Sequence, residues 1–366
     1  MNRVHVVVPA GIDDPAQVSG GNRYDREVCT GLRAAGWTVA EIAVPGSWPR
    51  PDVPALDGLS RSLDGLPDGG LVLVDGLIAS AAGAVLEPSS RRLRLVVLVH
   101  MVFGGQDVAA RDEGAVLAAA RAVVTTSDWT RRHLLDRYRL PAHRLHVARP
   151  GTEVVHASAG TAEGGRLLQV GTLAPHKGQD LLVDALAATA GLPWRCTLVG
   201  SLNRDPPYVA SLERRATAAG IADRLRITGP RTGASLQREF RSADLLVLPS
   251  RAESYGMVVT EALAAGLPVI ASRVGGVPEA VGRTAVGTPG LFVPPEDSTA
   301  LAGALTRWLT DAALRNRLRR AADRRRETLP AWRETSSCIG SVLTAVAAEP
   351  DPPQLRTEQC EGRRTG

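Results

Sequence analysis

Residues 244–279 read DLLVLPSRAESYGMVVTEALAAGLPVIASRVGGVPE, and they carry the clearest local signal in the chain. The apolar run Asp244–Pro249 predicts a buried strand, which ends at Ser250. A loop follows, and the apolar segment after Gly256 predicts a helix that begins at this glycine. Because a helix start has free N–H groups and a positive dipole end, this turn favours the binding of a phosphate-type anion.

Two glutamates flank this predicted helix start. Glu253 lies just before it, and Glu261 follows 8 positions later (261 − 253). Since an α-helix has about 3.6 residues per turn, Glu261 lies about 1.5 turns inside the helix. Two carboxylates on either side of one phosphate site can each accept hydrogen bonds from the hydroxyls of a sugar.

The same alternation of short apolar runs with helical segments fills most of the chain. It predicts a first series of strands at Arg3–Pro9, Thr38–Val44, Gly70–Asp75, Leu93–His100, Ala122–Thr126 and Arg144–Ala148. A second series is predicted at Arg166–Gly171, Arg195–Gly200, Arg224–Thr228, Asp244–Pro249, Leu267–Ser272 and Gly290–Val293. Repeated strand–helix units indicate parallel sheets. The expected fold class is therefore α/β, with two doubly wound Rossmann-like domains that face a central cleft.

The pattern also divides the chain into segments. We expect an N-terminal Rossmann-like domain over residues 1–155 and a C-terminal Rossmann-like domain over residues 166–328. Small polar residues at 156–165 indicate a linker between them. A last helix is expected over 329–348, packed back on the N-terminal domain, and a disordered tail over 349–366.

The chain contains a single lysine, Lys177, in the strand-to-helix turn Val170–Gly178. The other 42 of the 43 basic residues (43 − 1) are arginines, so the composition replaces lysine wherever either residue would serve. A lysine that survives this bias by chance is one interpretation. The other is a role for its compact ammonium, here at a turn where it can neutralise a phosphate.

Two features of the first series of strands and helices are also expected to lie at the predicted cleft. Ser19-Gly20-Gly21-Asn22 precedes a helix, and a glycine pair lets the backbone come close to a ligand. Its spacing is not the G-x-G-x-x-G fingerprint, which disfavours an NAD-dependent dehydrogenase. His100 ends a strand, where its ring can face a ligand or be an ordinary core histidine.

The full run from residue 244 to 279 resembles family 4 retaining glycosyltransferases. Glu253 and Glu261 match the E-x(7)-E signature of that family, and LPS-x-x-E-x-Y-G, EALA-x-G-x-PV and GG-x-PE surround them as they do there. The resemblance implies the two-domain, B-type glycosyltransferase fold. It also implies metal-independent transfer of a hexose-type sugar from a nucleotide-diphosphate donor, with no cofactor and with retained stereochemistry.

The resemblance implies a role for each matching residue. Glu253 contacts the donor sugar, Glu261 holds the nucleotide ribose, and Lys177 neutralises the β-phosphate, while His100 lies near the donor sugar. The implied catalytic residues are His100, Lys177 and Glu253. The implied donor-binding residues are Gly20, Gly21, Gly171, Thr172, Lys177, Arg231, Ser254, Tyr255, Gly256, Met257, Val258 and Glu261.

The sequence departs from the family at one position of the phosphate loop. Thr172 stands where the family usually has an arginine, so one positive charge is missing or comes from elsewhere. His176 or an arginine of the facing domain are the alternatives. This departure keeps open a non-catalytic nucleotide-sugar-binding partner, and a nucleotide-sugar epimerase is the alternative enzyme on the same scaffold.

The amino-acid composition limits which binding partners are expected. Aromatic residues make up 4% of the chain despite a net charge of +5, so base-stacking platforms are scarce and no nucleic acid is expected. Four scattered cysteines without a C-x-x-C pair predict a reducing, cytoplasmic location, and no signal peptide is recognised. The basic run Arg315–Arg326 is a solvated helix face or a peripheral membrane contact.

The sequence indicates only the chemical class of the sugar donor and of the acceptor. A UDP- or GDP-sugar is the expected donor, bound by the C-terminal domain. A small-molecule or lipid-linked acceptor is expected on the N-terminal domain, at the loops Ile12–Val18 and Phe103–Val108.

Overall fold

A computed structural model describes residues 2–14, 19–102, 108–153 and 155–350. It contains two six-stranded sheets, with strand orders β2-β1-β3-β4-β5-β6 and β12-β11-β10-β7-β8-β9. Every pair of neighbouring strands is parallel. The prediction of two Rossmann-like domains is therefore confirmed.

The first domain alternates strands and helices around its sheet. Its strands are β1 Arg3–Pro9, β2 Thr38–Val44, β3 Leu71–Asp75, β4 Arg94–Val99, β5 Ala122–Thr125 and β6 Leu145–Val147. Its helices are α1 Gly20–Ala34, α2 Val53–Asp64, α3 Gly76–Ala79, α4 Gly83–Ser89, α5 Val108–Ala119 and α6 Asp128–Tyr138.

The second domain repeats the plan. Its strands are β7 Arg166–Val170, β8 Arg195–Val199, β9 Leu225–Ile227, β10 Leu245–Leu248, β11 Val269–Ser272 and β12 Gly290–Val293. Its helices are α7 Gln179–Ala188, α8 Pro206–Ala218, α9 Gly233–Ser242, α10 Met257–Ala264, α11 Val277–Val281, α12 Ser298–Thr310 and α13 Ala312–Arg326, and α14 Trp332–Ala348 follows.

Helix α2 follows the second strand of the first domain. Its N-terminus has a recognisable start signal, because the Asp52 carboxylate accepts a hydrogen bond from the Ala55 amide at 3.0 Å and Pro54 occupies the first turn. Both residue types favour helix starts. Gly58 in the middle of the helix lowers its intrinsic helix propensity.

Both sheets have one point where the strand order reverses. In the first domain this point lies between β1 and β3, and in the second between β7 and β10. Ligands of open parallel sheets bind in the crevice that forms there at the carboxyl ends of the strands. Gly20, Asp75, Lys177 and Glu253 lie at the ends of these four strands or in the segments that follow them, so the topology itself brings these residues to the cleft.

The segment predicted as a linker is hydrogen-bonded along the second domain. The Ser158 amide donates to the Ala265 carbonyl at 2.8 Å, and the Thr161 hydroxyl donates to the Asp244 carboxylate at 2.8 Å. Arg319 and Arg315 of α13 donate to the carbonyls of Thr161, at 2.6 Å, and Ala162, at 3.2 Å. This segment therefore packs against the second domain.

The basic run on α13 is not a uniform charged face. Arg315 is buried and donates to the Trp308 carbonyl at 2.9 Å, and Arg326 donates to the Ala264 carbonyl at 2.7 Å. Arg317, Arg320 and Arg324 are exposed. Part of the run therefore fixes the fold, and only the remaining arginines are available to a partner.

Helix α14 lies against the first domain. A Cβ at Gly31 of α1 would lie 2.0 Å from the Ser336 hydroxyl oxygen, so glycine is needed where the two helices cross. The rings of Tyr24 and Trp332 meet edge to face, with centroids 5.6 Å apart. Helix α14 therefore packs its apolar face onto the core of the first domain, although it follows the second domain in the sequence.

Two groups of predictions lie outside the described residues. The expected acceptor loops include residues 15–18 and 103–107, and the expected disordered tail is almost entirely residues 351–366.

Candidate active site

The ammonium of Lys177 forms an ion pair with Glu253 at the strand-order reversal of the second domain. Lys177 Nζ lies 2.7 Å from Glu253 Oε1, and the Ser250 hydroxyl donates to the same oxygen at 2.8 Å. Their side chains are 22% and 10% exposed, so the pair is largely sheltered but open to the cleft. One cation and one carboxylate thus stand together where a ligand of this fold would bind.

Glycines allow the loops around this pair to touch. Gly178 follows Lys177 with a φ of +67°, and a Cβ there would lie 2.1 Å from the Pro249 carbonyl oxygen. Gly275 has a φ of +51°, and a Cβ there would lie 1.7 Å from the Glu253 carbonyl oxygen. Only glycine fits either position, so the backbone of these three loops fixes Lys177 relative to Glu253.

Two helix N-termini face each other across the cleft. Helix α10 begins after Gly256, whose φ is +90°, and α1 begins after Ser19, whose hydroxyl accepts from the Asn22 amide at 3.0 Å. A Cβ at Gly20 would lie 3.4 Å from the Met257 sulfur. Free amides and positive dipole ends from both domains therefore converge on one region, which suits an anion with several charges.

Glu261 lies inside α10 and is paired with an arginine of the other domain. Arg23 Nη1 lies 2.5 Å from Glu261 Oε1, and Arg23 Nη2 lies 3.1 Å from Glu153 Oε1. Burial raises the pKa of Glu261, and the Arg23 charge opposes that rise. Arg23 was not among the predicted site residues.

His100 belongs to a buried group with two aspartates. His100 Nε2 lies 2.7 Å from Asp25 Oδ1, and the Asp75 carboxylate lies close to both. Burial lowers the pKa of His100, but the Asp25 and Asp75 charges outweigh it and raise the value to about 9. Burial and the neighbouring Asp25 raise the pKa of Asp75 well above its usual value. The imidazole is therefore charged at neutral pH, and Gly21, whose Cβ would lie 3.3 Å from it, allows the ring to sit there.

This group also has the composition of a metal site. One ligand atom from each of Asp25, Asp75 and His100 lies within 4.8 Å of the others, and no second such group occurs among the described residues. The ion pair of His100 with Asp25 is an alternative account of the same arrangement. Absence of a metal from the reaction remains a prediction.

The two domains contact each other directly at Ser254, the residue after Glu253, and at Glu279. The Ser254 carbonyl accepts from the Ser127 hydroxyl at 2.6 Å, and the Glu279 carboxylate accepts from the amides of Asp128 and Trp129 at 2.9 and 2.6 Å. Glu279 thereby caps α6 of the first domain from α11 of the second. Contacts of this kind hold the cleft in the arrangement described.

The remaining predicted residues also line the loops at the strand ends. Thr172 is half-buried, and its backbone carbonyl accepts a hydrogen bond from the side-chain amide of Gln179 at 3.0 Å. Tyr255 is buried and its hydroxyl has no hydrogen-bond partner among the described residues, while burial raises its pKa to about 12. Arg231 is exposed in the loop after β9.

The structure indicates which residue could supply the positive charge that is missing because Thr172 stands in place of an arginine. Partial burial and the adjacent Lys177 lower the pKa of His176, which disfavours its charged form. Arg23 reaches the second domain, but its guanidinium is held by Glu261 and Glu153. The second interpretation, an arginine of the facing domain, thus has a structural candidate with carboxylate partners of its own.

Sequence reasoning missed Arg23, Asp25 and Asp75. Asp25 occupies the buried stripe of α1 together with Tyr24 and Val28, and a charged residue inside an apolar stripe is a recognisable signal. Asp75 ends a strand that is buried along its whole length, which is a similar signal. Arg23 gives no such signal, because its partner lies in the other domain.

Comparison with known proteins relates the chain to glycosyltransferases. Residues 157–325 match the family model described as Glycosyl transferases group 1. D-inositol 3-phosphate glycosyltransferases are similar in sequence: the protein of Jonesia denitrificans is 32% identical over 258 residues, which cover 64% of this chain and 60% of that protein. The protein of Geodermatophilus obscurus is 34% identical over 260 residues, covering 65% and 55%. The chain thus spans between 50% and 64% of the length of such curated relatives.

Solved structures share the whole fold. Sucrose-phosphate synthase from Thermosynechococcus elongatus superimposes with a TM-score of 0.79 at 24% identity, covering 94% of this chain and 99% of that one. HepE from Anabaena in complex with UDP-glucose gives a TM-score of 0.77 at 18% identity, covering 94% and 100%. The protein therefore has the two-domain fold of B-type glycosyltransferases. Its second domain, together with the segment that covers it, carries the sequence match to the group 1 model.

No helix in the part of the chain that the structure describes has both the length and the apolar character needed to cross a membrane.

Proposed function

We propose that the protein is a retaining, metal-independent glycosyltransferase of the family 4 type, which moves a hexose-type sugar from a nucleoside-diphosphate donor to an acceptor. The observation that carries this proposal is the 2.7 Å ion pair of Lys177 with Glu253, next to the N-terminus of α10. Similarity of fold to a protein bound to UDP-glucose supports a nucleotide-sugar donor, with UDP- and GDP-sugars as the first candidates.

The second domain would bind the donor through complementary charge. The amides of Met257 and Val258 at the start of α10 and the ammonium of Lys177 suit the diphosphate. Glu253 suits the sugar hydroxyls and Glu261 the ribose hydroxyls, on opposite sides of the phosphates. Gly171, Thr172, Ser254, Tyr255 and Gly256 shape the same pocket, and Arg231 lies where the base would be.

The first domain would cover the sugar and present the acceptor. Gly20 and Gly21 would let the α1 backbone come close to the donor phosphates, and His100, which lies next to Gly21, would lie near the sugar. A charged imidazole beside the leaving group would stabilise negative charge as it develops. Closure of the two domains excludes water, which favours transfer over hydrolysis.

The chemical step breaks the bond from the anomeric carbon to the β-phosphate oxygen and forms a bond from that carbon to the acceptor hydroxyl oxygen. Both oxygens occupy the same face of the sugar, so stereochemistry is retained. The acceptor hydroxyl proton passes to the departing phosphate oxygen, and the electron pair of the broken bond leaves with the phosphate. Lys177 and the helix start stabilise the charge on that phosphate.

The acceptor is proposed as a small molecule or a lipid-linked glycan bound by the first domain. The cytoplasmic location and a peripheral membrane contact stay predictions, the latter resting on Arg317, Arg320 and Arg324 of α13.

Binding measurements with a donor panel test the proposal. Thermal unfolding of the wild type is recorded with UDP-, GDP-, ADP- and dTDP-sugars, and repeated with Lys177→Ala and Glu261→Ala. We expect one nucleotide to raise the unfolding temperature and both substitutions to abolish the rise, because a ligand stabilises only the state that binds it. Arg317→Ala, at an exposed position outside the cleft, is the control.

The possible outcomes separate the interpretations. No shift with any nucleotide sugar would contradict the donor site and the proposed function with it. A shift accompanied by donor turnover without acceptor and without hydrolysis would favour an epimerase. A shift that Lys177→Ala leaves unchanged would remove Lys177 from the site.

A further inference from the structure

Arg23 joins the two domains at the residue proposed to hold the ribose. It lies in the first turn of α1, and its Nη1 contacts Glu261 Oε1 of α10 at 2.5 Å. Its side chain is 29% exposed and that of Glu261 is 17% exposed, so the ion pair is partly sheltered from water. A contact between these helices exists only when the two domains are together.

Other carboxylates fix the guanidinium in place. Arg23 Nη2 contacts Glu153 Oε1 at 3.1 Å, and the charges of Arg23 and Glu27 are close enough that Arg23 opposes the burial-driven rise in the pKa of Glu27. The planar guanidinium thus has one edge toward Glu153 and one toward Glu261. An arginine held by two partners has fewer accessible rotamers than a free one, which reduces the entropic cost of holding Glu261.

Glu261 needs such a partner in order to act as an acceptor. Burial raises the pKa of Glu261, the nearby Glu153 charge adds to this rise, and the charge and hydrogen bond of Arg23 oppose it. The contact uses Oε1, so Oε2 is the oxygen that can accept from a ribose hydroxyl. A protonated or freely rotating carboxyl would be a poorer acceptor at this position.

We propose that Arg23 is a positioning residue: it holds the Glu261 carboxylate ionised and oriented, so that ribose recognition by the second domain is completed by the first. The inference rests on the ribose role of Glu261 in the proposed function. Nucleotide affinity is thereby linked to domain closure, because the open arrangement separates Arg23 from Glu261.

A competing account makes the opposite prediction. If Arg23 only occupies Glu261 in the empty protein, the donor has to displace it, and removing Arg23 strengthens binding. If Arg23 positions Glu261, removing it weakens binding. The sign of the change in affinity therefore distinguishes the two accounts.

Calorimetric titration of the full chain measures this sign. The ligands are UDP, or the nucleoside diphosphate that the donor panel identifies in its place, and the analogue that lacks both ribose hydroxyls. The variants are Arg23→Ala, Arg23→Lys and the control Arg33→Ala, which removes an arginine of the same helix whose ion-pair partner, Glu41, lies in the first domain. Thermal unfolding without ligand checks that each variant is folded.

The expected result is specific to the ribose. Arg23→Ala weakens binding of the ribonucleotide by about tenfold, the effect of losing one charge-assisted hydrogen bond. It changes binding of the dideoxy analogue far less, since the hydroxyls that Glu261 would hold are absent. Arg23→Lys restores part of the affinity, and Arg33→Ala leaves it unchanged. Binding to Arg23→Ala also weakens further from pH 8 to pH 6, because Glu261 then becomes protonated more readily.

Several results would overturn the inference and leave the proposed function in place. These are equal or tighter binding by Arg23→Ala, or the same loss with the ribonucleotide and its dideoxy analogue. A wild type that binds no nucleoside diphosphate overturns the proposed function, and this inference falls with it.

Discussion

His100 Nε2 lies 2.7 Å from Oδ1 of Asp25, a residue four positions after Gly21 on the face of α1 that packs against His100. The glycine provides space for the ring, and the aspartate provides its charge partner, within one turn of one helix. The ring nitrogen that turns toward Asp25 is not available to a ligand. His100 is therefore a buried positive charge at the edge of the cleft, next to the start of α1.

The pair makes stability depend on pH. The pKa of His100 is raised from 6.5 to about 9 in the folded state, so its contribution to stability is complete below about pH 6.5 and is lost as the pH rises through 9. Asp25→Asn should therefore lower the free energy of unfolding by about 1 to 3 kcal/mol at pH 6 and much less at pH 10. Urea denaturation of both proteins at the two pH values measures this difference.

Asp75→Asn is the matched control for that experiment. The Asp75 carboxylate accepts a hydrogen bond from the Leu77 amide at 2.6 Å, which an asparagine oxygen can also accept, whereas the direct ion pair of His100 is with Asp25. We expect a smaller change than for Asp25→Asn. An equal loss for Asp25→Asn at pH 6 and pH 10 would show that the aspartate acts through packing and not through the imidazole charge.

The loop that holds Glu253 should tolerate no side chain at Gly275. Gly275→Ala places a Cβ 1.7 Å from the Glu253 carbonyl oxygen, so the loop has to move and Glu253 with it. Gly220→Ala has a similar φ of +67° but nothing within 4 Å, so it carries only the backbone strain of about 1 kcal/mol. We expect loss of donor binding for Gly275→Ala alone, measured by titration calorimetry. Equal donor affinity in both variants would mean that the loop position is irrelevant to binding.

Glu279 should hold the two domains together. Glu279→Ala removes the acceptor for the Asp128 and Trp129 amides, and the expected loss is about 2 kcal/mol of unfolding free energy. The radius of gyration from small-angle scattering should increase as the cleft opens. Glu327→Ala, which breaks an exposed pair with Arg324 at 3.3 Å, should change neither quantity measurably. If the radius of gyration of Glu279→Ala is unchanged, other contacts hold the two domains together.

The arginines of α13 should differ sharply in their effect on stability. Arg315→Ala leaves the carbonyls of Trp308 and Ala162 without their donor and opens space beneath α13, so we expect a loss of about 2 to 4 kcal/mol. Arg317→Ala, exposed on the same helix, should stay within about 0.5 kcal/mol of the wild type. Thermal and urea unfolding compare the two, and similar losses would contradict the division of the run into buried and exposed members.

The candidate site was predictable where a residue sits in a local pattern. Lys177, Glu253, Gly256 and Glu261 all lie in strand–loop–helix units whose turn residues are visible in the sequence, and the structure brings Lys177 and Glu253 into direct contact. Asp25 was visible in principle, as a charge within an apolar helical stripe. The order of the strands was not predictable from any single unit, although it decides which loops become neighbours.

The sequence by itself determined the elements and their direction. Short apolar runs, helical periodicity, glycines at turns and helix starts, and the repeated strand–helix alternation are local properties, and they define two parallel-sheet domains. Only the tertiary structure decided which charges meet. The pairs Arg23–Glu261 and His100–Asp25 join residues 238 and 75 positions apart. Whether such charges meet depends on strand order, domain closure and burial, and no local pattern of residues encodes these.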